Sequence, residues 1–147
     1  MSKIKTFRGM LANETQEQIH VSGGEDDIGY RIHKFQIMAN QSMSDYEITA
    51  KIYANKQALP LVHANQVDFD EDNLLAAAFT GLAAGEYAGA KVVIFDKEVF
   101  NQDIFIQCQD NGGSSQSVNY YLELEEVKMT NPEAAVVNYK AALLHGE

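Results

Sequence analysis

Apolar and polar residues alternate with a period of two along much of the chain, the spacing of strands that bury one face. The clearest run is 118–125, where Val118, Tyr120, Leu122 and Leu124 share one side and Asn119, Tyr121, Glu123 and Glu125 the other. Ile104, Ile106 and Cys108 repeat the pattern, as do Tyr46, Ile48, Ala50 and Ile52, with Glu47, Thr49, Lys51 and Tyr53 predicted to point outward. Ile19 and Val21 alternate with Gln18 and His20 before a turn over residues 22–27. Between residues 28 and 38 the phase changes. Tyr30 and Ile32 lie on one parity and Phe35 and Ile37 on the other, which predicts a bulge near His33.

Other segments carry weaker patterns. Residues 4–11 read as a first strand, although the sequence leaves open whether the first ten residues belong to the domain or form an arm reaching a neighbour. The continuous apolar run Val92, Val93, Ile94, Phe95 predicts a strand buried on both faces. The alanines of residues 73–81 favour a helix, but the segment is short, ends in Thr80-Gly81 and sits among strands, so a strand is expected. One helix is well signalled. Thr130 or Asn131 can cap it, Pro132 suits its first turn and Glu133 complements its positive end. Val137, Ala141 and Leu144 then fall on one side, flanked by Val136 and Leu143, with Gly146 placed to stop it. Eight or nine short strands and a C-terminal helix, with no repeat and no linker, predict a mainly β single domain over residues 1–147. The expected architecture is an antiparallel β-sandwich, jelly-roll-like.

Composition narrows the function. At 147 residues the chain can bury roughly two thirds of its unfolded surface, and its 46% apolar content favours a packed core. A net charge of −10 argues against nucleic-acid partners, which require basic side chains facing phosphates. No opening apolar run reads as a signal peptide, and the stretch 74–79 is too short to span a bilayer, so a chain made in a cytoplasm with no membrane partner is expected. Cys108, the single cysteine, reads as a buried, inert thiol.

Candidate chemistry is sparse. Asp68, Asp70 and Asp72 have the spacing that opens a calcium loop, but Asn73 stands where glycine is wanted and Phe79 where the bidentate glutamate should be. His20, His33, His63 and His145 are scattered without a ligand spacing, and His145 suits the last helical turn. Gly112-Gly113-Ser114-Ser115 lacks the lysine and following helix of a phosphate loop and reads as a flexible turn. Glu123 and Glu125 are i and i+2 on a solvent face. No metal, cofactor or catalytic residue is therefore expected. The interface candidates are Tyr53 and Tyr121, tyrosines on outward faces, with Val137, Ala141 and Leu144 on the helix. The competing expectation is that a loop or the helix covers that second face.

Two stretches, residues 93–106 (VIFDKEVFNQDIFI) and 118–125 (VNYYLELE), together with Phe7-Arg8-Gly9, Glu17-Gln18-Ile19 and Gly29-Tyr30-Arg31-Ile32, resemble small structural proteins of marine bacteriophages. The resemblance covers most of the chain and carries no mechanistic motif. It implies a β-sandwich present in the virion in many copies, as a capsid, decoration or fibre-associated component. Its partners would be other virion proteins or copies of itself, and a homo-oligomer is expected. The alternative is a carbohydrate-binding sandwich module used in host attachment, against which the absence of Trp counts modestly.

Overall fold

The computed structural model describes residues 3–21, 27–42, 44–62 and 64–144. Among them are eight strands, β1 (Ile4–Leu11), β2 (Gln16–Ile19), β3 (Ile28–Ala39), β4 (Tyr46–Tyr53), β5 (Leu74–Ala83), β6 (Glu86–Ile94), β7 (Ile104–Asp110) and β8 (Val118–Lys128), and one helix, α1 (Asn131–Leu144). The strands form two antiparallel sheets, one ordered β1-β8-β3 and the other β2-β7-β4-β5-β6. Residues 4–11 belong to the domain, with Phe7 opposite Leu122 in β8.

The core lies between the sheets. Ile32, Phe35, Leu122 and Leu124 face it from the smaller sheet, and Ile48, Ile52, Ile106 and Cys108 from the larger, all almost fully buried. The phase change in β3 is a register shift between Ile32 and Lys34, which leaves His33 as the extra residue and returns Phe35 to the inside. Residues 74–83 form a strand despite their alanines, because β4 and β6 pair with it on its two sides. Small side chains let the layers approach there. The β5–β6 hairpin turns on Ala84 and Gly85, both at positive φ (53° and 78°), the conformation that matches the twist of a tight two-residue hairpin.

The strand order is close to a jelly roll, in which a long antiparallel ribbon folds over so that strands one and eight, two and seven, three and six, and four and five pair. Here β1 pairs with β8, β2 with β7 and β4 with β5. The remaining pair is open: β6 turns back along β5, while β3 pairs with β8 in the opposite sheet. The run Val92 to Phe95 is consequently not doubly buried as its composition suggests. It belongs to an edge strand, with Val92 37% and Val93 41% exposed.

Candidate functional site

Of the residues expected at an interface, Tyr53 is on the face the alternation predicts, but that face is covered. It lies on the outer side of the larger sheet and is 2% exposed. Residues 54–62 and 64–73 fold back over that face, and Thr49, Lys51, Phe105 and Gln107 are buried with it. The Tyr53 hydroxyl donates to Glu71 Oε1 at 3.3 Å, and Lys51 Nζ donates to the carbonyl of Gln66 while standing 5.4 Å from the Tyr53 ring centre. Burial, and then the Glu71 carboxylate, push the Tyr53 pKa up. Burial pulls that of Lys51 down, with Glu71 opposing. Tyr53 is a structural anchor for this cover.

Helix α1 starts as its sequence predicts. Thr130 Oγ1 accepts from the Glu133 amide at 3.4 Å and donates to Glu133 Oε1 at 2.9 Å, joining a capping residue to the glutamate three positions on. Its packing is thin. Ala134 is its one buried residue, while Val136, Tyr139 and Leu143 are exposed. Val137, Ala141 and Leu144 line a cleft of about 430 Å³ with Phe69, Phe95 and Leu75, Leu144 still 36% exposed at its rim. Phe69 meets Phe95 edge-on at 5.3 Å, and Asn101 bonds Asn138 of the helix through Nδ2 while its buried Oδ1 has no hydrogen-bond partner. The helix face expected to meet a partner therefore meets the domain without filling the space beneath it.

Tyr121 lies on the outer face of the smaller sheet, half-buried, and donates to Glu123 Oε2 at 2.6 Å, a bond that raises its pKa. Arg8 and Gln36 stand opposite it in the neighbouring strands, and a shallow hollow runs between Arg8, Gln36, Asn119 and Tyr121. Further along, Arg31 grips Glu125 at 3.1 Å, with His33 Nδ1 3.8 Å from the same carboxylate. Of the glutamates on this face, Glu125 pairs with Arg31 and Glu123 accepts from the Tyr121 hydroxyl.

The surface that sequence reasoning missed is the open side of the sandwich, where β3 and β6 run on different sheets. A groove of about 550 Å³ lies between them, lined by Phe35 and Ile37 together with the polar His33, Lys34 and Gln36 from β3, and by Ala90, Val92 and Ile94 from β6. Phe79, 46% exposed, lies on the other face of the same sheet, opposite Lys91. Only the strand order reveals this edge; composition alone disguises it as a core strand.

The remaining candidates have local roles. Asp68 Oδ1 accepts from the Asp70 amide at 2.9 Å, closing a turn. His20 Nδ1 lies 3.0 Å from Asp103 Oδ2, whose other oxygen accepts from the Val21 amide. His63, His145 and Gly146 lie outside the described residues. Among the described residues, no three His, Cys, Asp or Glu side chains converge as a metal cluster. No described helix is long and apolar enough to cross a membrane. Cys108 is buried, its Sγ 3.3 Å from the carbonyl of Ala12, and burial raises its pKa to about 11. The chain matches no known family model, and no curated protein matches it significantly.

Proposed function

We propose that this protein is a structural component of a bacteriophage particle, a capsid, decoration or fibre-associated sandwich that acts through protein–protein assembly and not through turnover of a substrate. The observation that carries this reading is α1. A capped helix that buries one alanine against its own domain and leaves Val136, Tyr139 and Leu143 in solvent gains its packing from a neighbour. The open side between β3 and β6 offers a second contact surface, apolar on its β6 wall. The resemblance of residues 93–106 and 118–125 to phage structural proteins supplies the setting, the virion, and its partners are copies of itself or other virion proteins. An antibody against the chain, applied to gradient-purified particles of the phage that encodes it, should label intact virions at regular positions. Protein recovered only from the soluble lysate would overturn the reading.

The hollow around Tyr121 favours one second reading, a glycan-binding module for host attachment. A half-buried aromatic flanked by Arg8, Gln36 and Asn119 offers a ring face and hydrogen-bonding groups to a sugar. Binding on a glycan array that is lost in Tyr121→Ala would support it, and a blank array would remove it.

A further inference from the structure

The open edge of β6 has a definite hydrogen-bonding phase. The Phe95 amide donates to the carbonyl of Leu75 at 3.0 Å, in a register that continues as Ala76 opposite Ile94, Ala77 opposite Val93 and Ala78 opposite Val92. In an antiparallel pair, hydrogen-bonded and non-hydrogen-bonded positions alternate. Val93 and Lys91 therefore spend their backbone groups on β5. Ala90, Val92 and Ile94 direct theirs away from it, along an edge beyond which no strand lies among the described residues. The side chains of the same three residues line the groove against β3.

We propose that this edge pairs with the same edge of a second copy, β6 against β6 and antiparallel about a two-fold axis at Val92. The inference rests on the assembly reading above and names its contact. With the axis at Val92, that residue meets its own counterpart, and Ala90 meets the counterpart of Ile94. Outward-directed amides and carbonyls then face one another throughout, making about six hydrogen bonds at two per pair. Directly opposed residues share a face, so the incoming Ala90, Val92 and Ile94 add their side chains along the groove beside Phe35 and Ile37.

Charge permits this occupant at this edge. Two copies of a chain carrying −10 repel over most of their surfaces, yet residues 88–94 contain a single charged side chain, and it is the basic Lys91. On the outer face, Lys91 then stands opposite Val93 of the other copy, bringing no acidic groups together. The other half of the strand is unsuited to pairing, because Gly89 (φ 84°) and the register shift between Gly81 and Leu82 distort it. The β3 edge is worse placed still, with its bulge at His33 and exposed Lys34. The contact is confined to residues 90–94.

Light scattering over a concentration series tests this on the whole chain, using Val92→Pro and Val92→Lys. Proline at position 92 removes an outward N–H that the monomer does not use, and Lys brings two like charges to the axis. The expected result is a dimer of the unchanged protein whose dissociation constant rises at least tenfold in both variants. Amide exchange of the unchanged protein provides a readout independent of the variants' folding. Ala90, Val92 and Ile94 should become protected as concentration rises, while Val93 is protected throughout. A monomer at every concentration would overturn the edge pairing, as would fast exchange at those three amides in the assembled protein. An oligomer that survives both variants but dissociates in Tyr139→Glu would also overturn it and move the contact to α1. None of these three results touches the virion reading, which particle labelling decides separately.

Discussion

Tyr53 and Glu71 are joined hydroxyl to carboxylate at 3.3 Å, fastening the segment after β4 onto the strand it leaves. Burial and the negative charge of Glu71 both favour the protonated phenol in the fold, with Asp68 adding a smaller push in the same direction. A tyrosine whose pKa is raised on folding contributes stability in full below its unfolded value of about 10 and loses it as pH climbs above that. Lys51, lowered by burial, acts in the opposite sense over the neighbouring range. Tyr53→Phe should cost about 1 kcal/mol at pH 7 and show a shallower decline in stability above pH 10 than the unchanged protein, measured by denaturant titration at several pH values.

Asp110 organises the turn between β7 and β8. Its Oδ1 accepts from the amides of Glu47 at 3.0 Å and Gly112 at 2.8 Å, and its Oδ2 from that of Gln116 at 2.9 Å. Asp110→Ala strips three amides of their acceptor in a largely buried place. A loss of about 3 kcal/mol or more is expected in chemical denaturation, with Asp110→Asn losing less because one oxygen remains.

Gly112 and Gly113 predict opposite mechanisms for the same substitution. A Cβ on Gly112 would stand 2.5 Å from the Cα of Tyr46, against backbone that cannot yield cheaply. At Gly113 nothing lies within 4 Å, but φ is 95°. Gly113→Ala should cost about 1 kcal/mol through backbone strain. Gly112→Ala should cost clearly more and alter the β4 amide resonances near Tyr46, which a heteronuclear NMR spectrum would show.

Cys108 should resist chemistry. With its pKa raised to about 11 by burial, almost no thiolate exists at pH 8 and no reagent reaches it in the fold. A disulfide-exchange reagent should label it at the rate of global unfolding, and rapidly in denaturant. Fast labelling of the native protein would show that the sheet opens locally around β7.

What the sequence made legible follows from which faces are buried. In β8 one face meets the core and the other meets solvent and ion pairs, so alternation read its four inward residues correctly. The bulge at His33 was legible for the same reason, since a phase change leaves no other way to keep both Ile32 and Phe35 inside. The rule fails in β4, where a folded-back loop buries Thr49, Lys51 and Tyr53 and polar identity no longer means exposure. It fails again in β6, whose apolar run looks like an interior strand until the strand order puts it at an edge. Among the interface candidates, Val137, Ala141 and Leu144 were placed on one helix face, but which surface that face meets is decided by the packing of residues 69–75 and 95–102, and no periodicity encodes it.

The pairing of β1 with β8 and of β2 with β7 has a consequence for synthesis. The β4–β5–β6 meander can assemble from neighbouring segments while the chain is still emerging from the ribosome. Strands β1 and β2 must wait for residues 104–128 before either has a partner. Until then their apolar sides stay uncovered, so nascent chains made close together on one message are exposed to one another.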